Sequence, residues 1–132
     1  MASILKVDTL TGVTTAGSIS VTGEGNSTTT NLQQGLAKAW AKYQGSGTVA
    51  FYDSFGCTSI SDDAQGRYSV TLTNAFSSSN YALAGEDDAG EMFIENASAN
   101  TTTTFNTTHT TASGGSFQDP PNIGVITMGD LA

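Results

Sequence analysis

Arg67-Tyr68-Ser69-Val70-Thr71-Leu72-Thr73 alternates without a break. Tyr68, Val70 and Leu72 fall on one side; Arg67, Ser69, Thr71 and Thr73 fall on the other. A period of two marks a strand with one buried face and one wet face. Outward from this stretch, the chain from 48 onward reads as strand after strand: TVAFYDSF (48–55), CTSI (57–60), NYALAGE (80–86), EMFIENA (91–97), TTTFNTTHT (102–110) and NIGVITMG (122–129). Turn residues separate them: Ser61-Asp62-Asp63 with Gly66, Ser77 to Asn80, Asp88-Ala89-Gly90, Ser113-Gly114-Gly115 and Pro120-Pro121. Short strands at such spacing predict a mainly β fold, an antiparallel β-sandwich or barrel, over residues 48–132.

Before residue 48 the pattern changes. SILKVDTL (3–10) alternates imperfectly, and SISVTG (18–23) puts Ile19 and Val21 on one side. Both suit short strands, but the stretch holds few large apolar residues. Residues 1–30 therefore read as an extended N-terminal arm that packs on something else. Residues 31–47 read as one amphipathic helix and a linker. Thr30-x-x-Gln33 has the form of a capping box. Leu32, Leu36, Ala39, Trp40 and Tyr43 share one helical face, and Gly45 and Gly47 supply a stop. That stripe suits a helix covering a sheet, and it equally suits a short seam between subunits. With Leu5 and Val7 of the arm, these residues are the expected subunit or particle contacts.

Composition narrows the function. The 132 residues carry a net charge of −8, from 12 acidic against 4 basic side chains. That balance repels phosphate backbones and anionic lipid, so neither nucleic acid nor a membrane is an expected partner. Charged residues make up only 12% of the chain, about half the usual share. Thr, Ser, Asn and Gly take their place, as in a body of strands and polar turns. Cys57 is the single cysteine, so no disulfide forms within the chain. No run spans a bilayer, and residues 1–11 lack the features of a secretory signal. Synthesis in a cytoplasm is the expectation.

Catalytic and metal chemistry find little support. His109 is the one histidine and alternates with Thr107 and Thr111, so it faces with them. An ordinary surface or subunit-contact histidine is the simplest expectation. No second His or Cys stands at zinc-ligand spacing, and no Gly-x-Ser-x-Gly elbow is present. Glu86-Asp87-Asp88 with Glu91 and Glu95 forms the densest acidic run. Solvated turn acids are the expectation there. Glu86, Asp88 and Glu91 would be the ligands of a cation, although the spacing fits no EF-hand. No catalytic residue, metal or cofactor is assigned. Phe51, Phe55, Tyr68, Phe76, Tyr81, Phe93 and Phe105 fit core positions, as Cys57 does. Tyr43, Tyr52 and Phe117 fit surface positions that could stack on a sugar or a neighbouring subunit.

Two stretches resemble small structural proteins of marine tailed bacteriophages, both tail-fibre-like and capsid-decorating. One is LKVDTLTG followed by NSTTTNLQQGLAK. The other is 53–85, with Asp53-Ser54-Phe55, a polar turn, Gly66-Arg67-Tyr68-Ser69-Val70-Thr71-Leu72 and Asn80-Tyr81-Ala82. The resemblance implies a β-rich, homotrimeric, non-enzymatic virion protein. Its partners would be copies of itself and other virion proteins such as the major capsid protein. The absence of a long shaft points to capsid decoration (cement) or a short fibre. The alternative is a tail-associated, carbohydrate-binding receptor module. A tail-associated hydrolase is the weakest reading.

Overall fold

The structure is a computed structural model, and it describes residues 4–13, 19–22, 29–88, 91–95, 99–111 and 115–129, with backbone alone at 33–34 and 91–95. Most of the turns expected at Asp88-Ala89-Gly90 and Ser113-Gly114-Gly115 lies outside the described residues. The chain divides into two compact units, Met1–Leu36 and Ala37–Ala132.

In the first unit, β1 (Ser20–Thr22) pairs antiparallel with β2 (Thr29–Asn31), Val21 opposite Thr30. A four-residue helical turn, α1 (Leu32–Gly35), follows directly. The Leu32 amide donates to the Ile19 carbonyl at 2.9 Å and ties the turn to β1. Residues 4–13 form neither helix nor strand. The strand expected across 3–10 is absent from its described residues, 4–10.

The second unit is mainly β, in two four-stranded antiparallel sheets. Its strands are β3 (Ala39–Gln44), β4 (Ala50–Phe55), β5 (Cys57–Ala64), β6 (Arg67–Leu72), β7 (Ala82–Asp87), β8 (Glu91–Glu95), β9 (Thr104–Thr111) and β10 (Ile123–Met128). One sheet has the order β4-β3-β10-β7, the other β5-β6-β9-β8. The inward residues of both sheets form a single core. It holds Ala39, Ala41 and Tyr43 from β3, Tyr68, Val70 and Leu72 from β6, Phe105 from β9, and Ile123 and Val125 from β10. Phe76 and Tyr81 close one end of it, stacked with ring centroids 4.1 Å apart. The arrangement is two packed layers, not a closed barrel.

Among the described residues, the chain turns a corner from one sheet to the other at Gly56. β4 runs into β5 through Gly56, which has φ +70°. A side chain there would meet the Lys38 carbonyl at 2.7 Å, so the corner needs glycine on two counts. Such a switch of sheets joins the two layers.

The helix expected across 31–47 is corrected. Beyond α1, residues 39–44 form β3, a central strand with β4 on one side and β10 on the other. Ala39, Ala41 and Tyr43 are buried, while Trp40, Lys42 and Gln44 lie on the other face. Leu32, Leu36, Ala39 and Tyr43 fit a helical period, but Ala-Trp-Ala-Lys-Tyr-Gln also fits a period of two. Two neighbouring strands with open hydrogen-bonding edges decide between them, since pairing and packing override weak helix propensity. The strands read from 48 onward all form, with ends shifted by up to four residues; the largest shift carries β5 to Ala64, through the Ser61-Asp62-Asp63 stretch expected to be a turn.

Candidate functional site

One end of the second unit's core is polar. The Tyr43 hydroxyl lies 2.8 Å from Thr107 Oγ1. His109 Nε2 lies 3.2 Å from the same Thr107 oxygen. His109 Nδ1 lies 3.0 Å from Asp87 Oδ2. Thr107 and His109 stand two residues apart on β9, so the strand's pleat turns both inward. Asp87 ends β7 and Tyr43 lies on β3, so both links cross from one sheet to the other. The side chains of His109 and Asp87 are 0% exposed.

Burial lowers the His109 pKa below its ordinary 6.5, and the hydrogen bond and charge of Asp87 only partly oppose this. The ring is therefore neutral at pH 7 and carries one proton. With that proton on Nδ1, His109 donates to Asp87 and accepts at Nε2 from Thr107. Thr107 in turn accepts from Tyr43. Every member then has a defined role, as a buried polar network requires. Burial, above all, also raises the Tyr43 pKa, which keeps its hydroxyl a donor.

A second set of polar ties seals this end. Asp119 Oδ1 accepts the Gly66 amide at 2.6 Å and the Tyr68 hydroxyl at 3.0 Å. The Tyr68 hydroxyl also lies 3.1 Å from the Gly45 carbonyl. Burial, and then Asp119, raise the Tyr68 pKa. The Gly45 amide donates to the Pro120 carbonyl at 2.9 Å. Gly66 turns β5 into β6 with φ +66°, and its carbonyl accepts the His109 amide at 2.8 Å. The turn expected at Pro120-Pro121 lies at this sealed end. Pro120 is buried against the core, and the Pro121 carbonyl accepts the Tyr52 hydroxyl at 3.0 Å.

Asp87, His109 and Thr107 stand in the order of an acid, base and hydroxyl nucleophile. Thr107 is only 1% exposed, however, and the Tyr43 hydroxyl occupies the space beside its Oγ1. An attacking hydroxyl needs a substrate carbonyl about 3 Å away. This geometry instead fits a tie between two sheets.

The expected contact residues divide. Leu5, Val7 and Leu36 are well exposed, Leu32 is half-buried, and Trp40 is 37% exposed. Ala39 and Tyr43 are core residues at 1% and 0%, so the helical seam is not assembled. Tyr43, expected at the surface, and His109, expected at the surface or a subunit contact, are both corrections. In each case the strand's inward face is the one that meets the opposite sheet. Phe55 is the reverse correction: it is 58% exposed, because Gly56 turns the chain just after it. Phe51 and Cys57 are partly buried; Tyr68, Phe76, Tyr81 and Phe105 are buried as expected. Tyr52 and Phe117 lie at the surface, Phe117 with the Arg67 guanidinium 4.4 Å from its ring centroid.

The acidic run also divides. Glu86 is exposed and lies 3.6 Å from Lys42 Nζ. Asp87 is buried, which corrects the solvated reading for that residue. Asp88 accepts the Asn122 amide at 3.1 Å and its side-chain amide. The side chains of Glu91, Phe93 and Glu95 lie outside the described residues. Among the described residues, no three His, Cys, Asp or Glu side chains gather as a metal site would require. No described helix is long and apolar enough to cross a membrane.

No family model, no curated protein and no solved structure matches this chain.

Sequence reasoning placed Thr107 and His109 on one face but missed Asp87, Tyr43 and Asp119 as their setting. The signal available was a lone histidine in a Thr-rich strand with clean alternation. What was missing was which face the opposite sheet would cover.

Proposed function

We propose that this chain is a non-enzymatic structural protein of a bacteriophage virion. In this reading it is a homotrimeric capsid decoration (cement) protein or a short fibre on the particle surface. It is assembled in the host cytoplasm, and its partners are its own copies and virion proteins such as the major capsid protein.

The observation that carries the reading is the apolar run of the first unit. Ile4, Leu5, Val7, Leu10 and Val13 are between 54% and 95% exposed and belong to no helix or strand. Several large apolar side chains in one short exposed stretch suit contact with another protein surface. The second unit complements this as a β-sandwich body with its own core and polar outer strands. The resemblance of LKVDTLTG and of 53–85 to phage particle proteins supports the same assignment.

A second reading has one favourable feature. Trp40 and Phe55 sit side by side on the outer face of one sheet, a platform on which a sugar ring could stack. In that case the chain is a tail-associated, carbohydrate-binding module.

The test has two arms. The purified chain is expected to sediment at three times its 13.5 kDa mass independently of concentration. Peptides of the chain are expected in purified particles. A stable monomer absent from particles contradicts the proposal. Specific glycan binding with a tail location favours the second reading.

A further inference from the structure

The two sheets of the second unit end in β4, β7, β5 and β8, and three of these edges are blunted. β5 breaks register with β6 between Cys57 and Ser59 and again between Asp62 and Ala64, and it carries Asp62 and Asp63. β4 has one residue more than β3 beside it, Tyr52, whose hydroxyl is held by the Pro121 carbonyl. β8 has Glu91 and Glu95 at its two ends. Bulges and charges are what keep an edge from pairing with another chain. β7 has neither over most of its length. It runs in unbroken register with β10 from Ala82 to Asp87, and Ala82-Leu83-Ala84-Gly85 is uncharged. Alternate residues of an end strand turn their amide and carbonyl away from the sheet, so β7 offers a row of such groups. Among the described residues, no strand pairs with that side. Leu83 sits at this margin, packed against the core but only half-buried.

The first unit holds a segment with the complementary lack. Residues 4–10, Ile-Leu-Lys-Val-Asp-Thr-Leu, alternate imperfectly as a strand, yet form none within the chain. Leu5, Val7 and Thr9 share one side, and Lys6 and Asp8 the other. Leu5 and Val7 are well exposed. An extended segment becomes a strand only beside an edge that takes its amides and carbonyls. At the common rise per residue, this segment is long enough to run the whole of β7.

We propose that residues 4–10 of one copy add as a further strand to the β7 edge of the next copy. Main-chain hydrogen bonds hold the segment, as in strand addition generally, and side chains on alternate positions set the fit. Leu5 and Val7 fall on the side of Leu83 and cover it, while Lys6 and Asp8 stay in water. Segment and edge are unlike surfaces, so the contact is heterologous, the kind that closes a ring. The inference rests on the homotrimer reading above and assigns its contact.

The experiment combines sedimentation equilibrium of the full chain, over a wide concentration range, with amide hydrogen exchange read on its peptides. It compares the native chain with a Lys6→Pro/Val7→Pro double variant. Consecutive amides of a strand point opposite ways, so one of the two prolines removes a donor that faces β7. Gly12→Pro/Val13→Pro makes the same change beyond the segment. None of these positions lies in a helix or strand, and thermal melts check that the two-sheet body is intact. Lys6→Pro/Val7→Pro is expected to weaken assembly about tenfold or more, with exchange quickening at 4–10 and 82–87 together. Gly12→Pro/Val13→Pro is expected to match the native chain in both. A Lys6→Pro/Val7→Pro chain that assembles like the native one overturns the added strand and leaves the trimer standing. Lost assembly with exchange at 82–87 unchanged overturns β7 as the edge. Equal loss in Gly12→Pro/Val13→Pro overturns the segment. A native chain monomeric at every concentration overturns this inference and the homotrimer reading together.

Discussion

His109 Nδ1 lies 3.0 Å from Asp87 Oδ2, with both side chains wholly withdrawn from solvent. The pair joins one sheet to the other, and the Tyr43–Thr107 hydrogen bond makes the same crossing beside it. With His109 neutral the contact is a hydrogen bond to a buried carboxylate, and removing the carboxylate takes away the acceptor of the Nδ1–H. Asp87→Ala is therefore expected to lower stability by about 3 kcal/mol. Thr107→Val removes one hydroxyl at nearly constant volume and is expected to cost about 1–3 kcal/mol. Urea denaturation of the two variants checks both values and their order.

The pair also sets a pH dependence. His109 has a pKa lowered below its ordinary 6.5 by burial, so the unfolded chain takes up a proton before the folded chain does. Its contribution is complete above about 6.5 and declines as pH falls below that value towards the folded pKa. The slope from this one group is at most about 1.4 kcal/mol per pH unit. Urea midpoints between pH 7.5 and 5.5 are expected to fall for the native chain. They are expected to fall less for His109→Gln.

Gly66 is the most constrained glycine at the sealed end. A side chain there would come within 2.6 Å of the His109 carbonyl and 2.7 Å of the Gln118 carbonyl, and its φ is +66°. Left-handed backbone alone costs a non-glycine residue about 1–2 kcal/mol, and the clash with backbone adds to that. Gly66→Ala is expected to destabilise by more than about 2 kcal/mol, read as a lowered melting temperature. An unchanged melting temperature would show that the β5–β6 turn is not pinned as described.

Much of this architecture is legible in the sequence, for a physical reason. Tyr68, Val70 and Leu72 alternate with polar residues, and alternation is local, so β6 needs no knowledge of the rest of the chain. The strands read at 48–55, 80–86, 102–110 and 122–129 rest instead on short runs bounded by turn residues, a signal that is equally local. Residues 39–44 misled because Ala39, Trp40 and Tyr43 satisfy two periods at once. Only the flanking strands, Ala50–Phe55 and Ile123–Met128, remove that ambiguity, and they are distant in sequence. The polar cluster was half legible. Thr107 and His109 share a face by spacing, but Asp87 is 22 residues away from the histidine and Tyr43 is 64 from Thr107. Pairings of that range are set by sheet order, which a single sequence does not encode locally.

Cys57 gives a further check on the corner at Gly56. Burial pushes its thiol pKa up to about 11, and its Sγ lies 3.6 Å from the Trp40 carbonyl. The thiolate is the reactive form. Labelling by a thiol reagent at pH 7.5 is expected to be slow in the folded chain and to accelerate many-fold in denaturant. Fast labelling of the native chain would mean that the corner is open.

The central claim is that this chain acts by assembly as part of a particle. A cryo-electron microscopy reconstruction of the phage particle that carries it tests this most directly. The account predicts resolved density for the two-sheet body on the particle surface, in groups of three about a local three-fold axis. Particles with no density for the chain at any position, from a stock in which the chain is expressed, would contradict it.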